Sequence, residues 1–346
     1  MRLRNYRTSI LLAVSVTALI SAFWFIPNLA FVIFLSLLLQ LLLLPGVEVL
    51  AKRLPRVVAC GIVLLLFVVA AMGILAVVSS SFVPTFTKFV HDLPQLTQNL
   101  QHLPIVEEYG FFRREMDSLW SEAMNTGVTA LKSSLSLLLS LFNKFMDIII
   151  ILFVTFYLLL DGEKIKSFLA GLFPSSDYGR VLSLFDRILV SLRVYIFSQM
   201  VICCITGLVV FSYFTLRDLP YASVFAVVSG ICEFVPVLGP TVASAFGTLL
   251  TLPQSMGTAV QTLGFYVVLT QVNHNIIYPT LIGKSLHLHP IAVILGIVLG
   301  GEVLGAAGMF LAVPVIVIIK LVIEDIYASR LRLLQNRQAS RWLNRE

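Results

Sequence analysis

Charge is what this sequence has least of. Asp, Glu, Lys and Arg make up 12% of its 346 residues, about half the ~25% of an average soluble chain. Hydrophobic residues make up 58%, and the mean hydropathy is +0.97. That shortage excludes a globule whose main solvent is water. Cysteine is scarce too: Cys60, Cys203, Cys204 and Cys232 all fall in apolar segments without metal-ligand spacing, which excludes a disulfide framework and reads as small buried hydrophobes. The sequence also lacks His-Glu-x-x-His, Gly-x-Ser-x-Gly, a phosphate loop and Gly-x-Gly-x-x-Gly, so neither an enzyme nor a cofactor site is expected. The net charge of +6 does not point to nucleic acid, because the basic residues sit beside apolar spans rather than forming a phosphate-contacting surface. They suit loops facing anionic lipid headgroups.

Apolar runs are what is present. A helix crossing the ~30 Å hydrocarbon layer needs about 20 mostly apolar residues, and such runs recur from one end of the chain to the other. The expected fold is all-α and polytopic, with about eight apolar segments, two of them broken helical hairpins. The first stretch, "TSILLAVSVTALISAFWFI", is too long for a signal-peptide core and is expected to be a mature helix. Arg2, Arg4 and Arg7 precede it, and Lys52, Arg53 and Arg56 follow a second span that is expected to end at Pro45. The positive-inside bias places both basic clusters, and hence the N-terminus, in the cytoplasm.

Residues 1–82 then form a three-span scaffold, and 83–135 a polar extracytoplasmic insert. Its acidic residues (Asp92, Glu107, Glu108, Glu115, Asp117, Glu122) outnumber its basic ones (Lys88, Arg113, Arg114, Lys132). Pro84, Pro94 and Pro104 divide this insert into short pieces, while Phe112, Met116, Leu119 and Trp120 recur at amphipathic-helix spacing. Residues 136–193 are expected to hold a fourth span and a cytoplasmic amphipathic helix (178–193). Residues 194–322 hold the transport region, starting with a span at 194–215, and 323–346 form a basic cytoplasmic tail. Within the transport region, 221–252 is broken by Pro236, Gly239 and Pro240. Residues 291–321 are broken by Gly300, Gly301 and Gly305, with Pro314 later. Two Gly/Pro-broken segments are the pattern of a transporter substrate site.

A few polar residues interrupt these segments. Glu233 stands in "SGICEFVPVLGP", where the helix stops; an acidic residue at mid-membrane costs about 2.5–3.5 kcal/mol on the insertion scale. It can exchange a proton or share a cation with carbonyls of the bend, or it can sit at an interface and cap a helix. Asn273, His274 and Asn275 offer hydrogen-bonding groups before Tyr278-Pro279, and His274 can titrate. Glu302 follows Gly300-Gly301 as a second carboxylate at a break. Lys144 and Asp147, three apart on one helix face, are expected to neutralise each other. His287 and His289 lack the further ligands a metal site needs and read as a cytoplasmic turn. Gly296-x-x-x-Gly300 and Gly301-x-x-x-Gly305 allow close helix approach in lipid.

"FYLLLDGEKIKSFLAGLFP", then "EFVPVLGP", then "YPTLIGKSLHLHPIAVILGIVLGGEVLGAAGMFLAVPVIVIIK" resemble the autoinducer-2 exporter family of bacterial membrane proteins. The matching positions are Pro236, Gly239 and Pro240, then Pro279 and Gly283, then Gly300, Gly301, Gly305, Gly308 and Pro314, spread over the C-terminal half. The N-terminal half agrees in span layout and external insert. The chain departs at "VYIFSQ" (194–199), which lacks the usual glycine before the glutamine, and at Tyr278. The resemblance implies a multi-pass inner-membrane carrier that forms a homo-oligomer, with a pentamer among the expected forms. Members are linked either to efflux of the autoinducer-2 signal or to exchange of sodium or lithium for protons.

The resulting expectation is a secondary transporter exporting a small solute under an ion gradient. Glu233 and Glu302 would couple protons or sodium, Asn273, His274 and Asn275 would contact solute, and the glycines and prolines would act in hinges or packing. The rivals are a cation/proton antiporter and a non-transporting membrane scaffold.

Overall fold

In hydrocarbon every backbone amide needs a partner within the protein, so a chain this apolar solves the problem with helices. The computed structural model describes residues 7–101, 145–236, 238–252, 254–282 and 288–343. Its regular elements are α1 (Arg7–Phe25), α2 (Pro27–Leu50), α3 (Arg56–Gln101), α4 (Phe145–Gly171), a 3-10 turn (Ser175–Asp177) and α5 (Tyr178–Leu216). After these come α6 (Ala222–Cys232), α7 (Leu238–Thr251), α8 (Met256–Val272), a π-helical turn (Asn273–Ile277), α9 (Tyr278–Ile282), α10 (Pro290–Leu304) and α11 (Ala306–Leu343). The fold is all-α and polytopic. Segments of α1, α2, α3, α5 and α11 are each long and apolar enough to cross a membrane, and α6 and α10 are shorter apolar helices.

The chain divides into two units. One comprises Met1–Leu65, Ile149–Phe197 and Ile282–Glu346, the other Leu66–Ile148 and Ser198–Leu281. In the first, Phe34, Leu38 and Leu41 of α2, Leu184, Ile188 and Leu192 of α5, and Val313 and Val317 of α11 share one core. Their three-to-four spacing puts each set on one stripe of its helix. The polar end of this unit is tied by Arg180, whose guanidinium donates to Asp325 Oδ2 at 2.6 and 2.9 Å and to Ser329 at 2.8 Å. Arg187 donates to the other carboxylate oxygen at 3.2 Å. Lys166 bridges Glu163 and Asp186; partial burial alone would depress its ammonium, but these two carboxylates hold it above the ordinary lysine value.

The second unit is packed with aromatic rings. Phe214 stacks on Phe225 at 4.3 Å and Tyr213 on Phe265 at 3.9 Å, with Phe82 and Phe86 of α3 in the same core. The loop into α6 passes through Tyr221, which has a left-handed φ of +62°, uncommon for a residue with a Cβ. Its hydroxyl donates to Asp92 at 2.7 Å.

Several expected boundaries are not where proline and charge suggest. Pro45 lies inside α2, and Pro84 and Pro94 lie inside α3, which runs on to Gln101 rather than breaking into short pieces. A proline removes one donor, and in membrane helices neighbouring groups and local adjustment re-satisfy the freed carbonyl. The amphipathic helix at 178–193 and the span after it are one continuous helix, α5, and α11 continues through the basic tail to Leu343. Residues 102–135 of the insert, Lys144, Gly283 and His287 lie outside the described residues. Cys204 is exposed, not buried.

Candidate functional site

The expected break at 236–240 is present, and its backbone is better satisfied than sequence suggests. α6 ends at Cys232, and Glu233 caps it with its amide bonded to the Ser229 carbonyl at 3.1 Å. Val235 N–H donates to Cys232 O at 2.9 Å and Gly239 N–H to Val235 O at 2.8 Å, so the chain turns without stranding these donors. Pro240 falls in the first turn of α7, where a missing N–H costs nothing. Gly239 packs against α6 so closely that a Cβ there would lie 1.7 Å from the Cys232 carbonyl oxygen. The glycine therefore serves close return of the backbone.

This turn delivers a carboxylate into the protein. Glu233 is 2% exposed, and the groups around it come from three other segments of the same unit. From the π-helical turn, Asn273 Nδ2 donates to Glu233 Oε1 at 3.3 Å and to Thr206 Oγ1 at 3.0 Å. From α5, the Thr206 hydroxyl faces the carboxylate, and Gln199 Nε2 donates to the Glu233 backbone carbonyl at 2.6 Å. From α9, the Tyr278 hydroxyl meets Gln199. Gln199, Cys203 and Thr206 are spaced i, i+4, i+7 and so share one face of α5. Among the described residues no cationic side chain pairs with Glu233.

π-helical geometry adds a residue to a turn and is concentrated at functional sites. Here it begins at Asn273, the residue that bonds Glu233.

Of the five residues expected to couple or contact solute, the structure brings two together, Glu233 and Asn273. His274 is exposed and stacks on Tyr278 at 5.4 Å with 13° between the planes. Asn275 is exposed and donates to Gln271 at 2.9 Å. Glu302 is exposed on α10, in the other unit. Pro279 is exposed on α9. His289 caps α10 by accepting the Ile291 amide at 3.3 Å. Sequence reasoning missed Gln199 and Thr206, and valued Tyr278 only as a departure from a pattern. The available signal was three polar or sulfur residues, seven positions end to end, on one face of an otherwise apolar helix.

The second expected break is displaced. Gly300 and Gly301 are helical, and the chain turns at Gly305, whose φ of +60° and ψ of −140° suit glycine alone. Gly300 instead lets α10 approach α11, since a Cβ there would lie 2.3 Å from the Gly308 carbonyl oxygen. Beside this contact, α1, α10 and α11 line a cavity of about 560 Å³ with Trp24, Leu295, Leu299, Ala312 and Ile316 among its walls.

The family model for AI-2E family transporters matches residues 13–328. The chain is 28% identical over 334 residues to "Putative transport protein YueF" of Bacillus subtilis (strain 168), covering 92% of this chain and 88% of that one. It is 25% identical over 298 residues to "AI-2 transport protein TqsA" of Escherichia coli (strain K12), covering 84% of each. It is 24% identical over 280 residues to "Putative permease PerM" of the same organism, covering 77% and 78%. The match runs through both units and through every residue of the Glu233 cluster: this chain belongs to the AI-2E transporter family.

Proposed function

We propose that this chain is a secondary transporter that exports a small solute, with Glu233 coupling that movement to an ion gradient. The observation that carries the reading is a carboxylate at a helix break, 2% exposed and held by neutral side chains. A buried membrane carboxylate is expensive and is normally kept for an ion or proton path. Asn273 orients it, while the exposed His274 and Asn275 nearby are assigned to the solute. Glu302 is assigned a secondary coupling role at its own break. The relative whose name states transport of AI-2 supports a small signalling molecule of that kind as solute. The clusters at Arg2, Arg4, Arg7 and at Lys52, Arg53 support a cytoplasmic N-terminus, and the arginines after 330 support a cytoplasmic C-terminus, in a bacterial inner membrane. A homo-oligomer is part of this reading, with apolar faces such as Leu65, Leu66, Val69 and Met72 of α3 left exposed for lipid or for a second copy.

Cation/proton antiport is the second reading, favoured by the same carboxylate, because its immediate partners are neutral oxygens and amides rather than a fixed cation. One assay separates the alternatives. Inverted vesicles carrying the protein are given a pH gradient, and its dissipation on adding sodium or lithium is followed with a fluorescent dye. Antiport is expected to show dissipation that Glu233→Gln abolishes. Solute export without antiport is expected to leave the dye unchanged, while extracellular autoinducer-2 rises with the wild type and not with the variant. A non-transporting scaffold would show neither response, and Glu233→Gln would be silent.

A further inference from the structure

We propose that the cavity between α1, α10 and α11 binds one acyl chain of a membrane phospholipid. The site belongs to the first unit, whereas Glu233 belongs to the second, and it does not rest on the transporter reading. Its volume of about 560 Å³ falls inside the ~300–1,000 Å³ of pockets that take a small, mostly apolar molecule. Packing holds its walls apart. Gly296 and Gly300 leave no room for a Cβ against Ile316 and Gly308, so α10 lies hard against α11. α1 meets α11 only sparsely, and its end is held to α2 instead, where Phe23 packs edge-on against Phe34 at 5.8 Å. The gap between α1 and the α10–α11 pair is therefore set by contacts on either side of it. Trp24, Leu295 and Leu299 on its walls are exposed, and their helices are apolar, so the cavity is reached from the bilayer.

The lining decides the ligand. No charged side chain faces the cavity, and of the lining side chains only Ser21 and Trp24 carry a polar atom. Water needs two to four polar partners to settle in a cavity, and apolar cavities stay dry and take apolar ligands. A polar solute would give up its hydration here without recovering hydrogen bonds. Ser21 and Trp24 are three positions apart at the end of α1 and so share a face. Tryptophan favours the level of the headgroups, so this end suits the ester region of an amphiphile, and Leu295, Leu299, Ala312 and Ile316 suit its chain. A second copy of this protein is the rival occupant. A helix about 10 Å across would fill the volume in roughly one turn, too little to seat a helix, whereas a flexible hydrocarbon chain can follow a narrow cleft.

The test uses the purified full-length protein in nanodiscs of phosphatidylethanolamine and phosphatidylglycerol, with a trace of phosphatidylcholine that carries a photoreactive diazirine in mid-chain. After irradiation the lipid adducts are located by mass spectrometry. Adducts at Leu295, Leu299 and Ile316 are expected to exceed those at Leu65, Val69 and Met72, exposed positions of α3, by about fivefold or more, and to be competed by unlabelled phospholipid only slowly. Val303→Trp and Ala292→Phe, made separately on wall positions that are only partly buried, fill the cavity without entering the α10–α11 contact. Each is expected to lower the cavity adducts about fivefold and to leave those on α3 unchanged. Should either variant fail to fold, the other variant and the contrast between positions in the wild type still decide. Equal labelling of cavity and α3 would reduce the site to ordinary surrounding lipid and overturn it. Cavity labelling that ignores both fillings would overturn it too, as would cross-links between copies at Leu295 or Leu299 in place of lipid adducts, which would assign the cavity to a second copy.

Discussion

The two broken helix pairs, α6–α7 and α10–α11, share a grammar of glycine and proline but differ in what the break is for. At the first, the chain pivots through Glu233–Pro236 and buries a carboxylate among Gln199, Thr206 and Asn273. At the second, the chain pivots on Gly305, its carboxylate Glu302 stays exposed, and the neighbouring surface is a glycine contact next to an apolar cavity. One break concentrates polarity and the other concentrates close packing. A helix interruption in lipid therefore does not by itself mark a polar site; the side chains brought to it decide.

The sharpest way to break that contrast is to remove the charge at each interruption. Glu233→Gln is expected to lower ion-coupled transport tenfold or more at matched expression, whereas Glu302→Gln should lower it less than about threefold, both read by dye in inverted vesicles. Equal losses would make the second break chemical too. Backbone closeness, by contrast, should matter at both. Gly239→Ala and Gly300→Ala place a Cβ 1.7 and 2.3 Å from carbonyl oxygens and are each expected to cost about 3 kcal/mol in thermal unfolding. A silent Gly300→Ala would show that α10 can leave α11 without penalty.

Each pair also has an anchor, and the anchors differ in strength. Asp325, on the continuation of α11, is buried and held by two arginines. Arg180→Ala is expected to destabilise the protein by about 2 kcal/mol, below the ~3–5 for stranding a buried charge, since Arg187 remains; loss of thermal stability checks it. The anchor before α6 is lighter. The Tyr221 hydroxyl, and after it His91, hold the Asp92 carboxyl below the usual carboxylate range. A depressed carboxylate contributes stability that is complete above its unfolded value of about 3.9 and is lost as pH falls through the lower folded value. Tyr221→Phe is therefore expected to lower stability slightly near neutrality, to leave it unchanged below the folded value, and so to shift the acid limb of unfolding slightly upward in pH, measured by tryptophan fluorescence in denaturant titrations across pH.

Much of the architecture could be read in advance, because the demand for internal hydrogen bonding in lipid makes long apolar runs unambiguous. The Glu233 break was legible for the same reason, as a charge beside Pro-x-x-Gly-Pro. Prolines misled where they stood alone: Pro45, Pro84 and Pro94 are carried within helices. The site was half legible. Asn273, His274 and Asn275 are consecutive, so helical geometry cannot aim all three inward; one is buried and two face out. Gln199 and Thr206 passed unnoticed because single polar residues are common in membrane helices, and their meaning depends on what the opposing helix offers.

Asn273 has a further consequence through the turn it begins. The π-helical stretch at 273–277 stores one residue more than an α-helical turn would hold. If that extra residue is passed along the chain, each side chain it crosses swings by about 100° about the axis and advances about 1.5 Å. Such a shift would carry Asn273 off the carboxylate while Gln199 and Thr206 stay in place on α5. The contact between Asn273 and the carboxylate thus depends on the register of that turn.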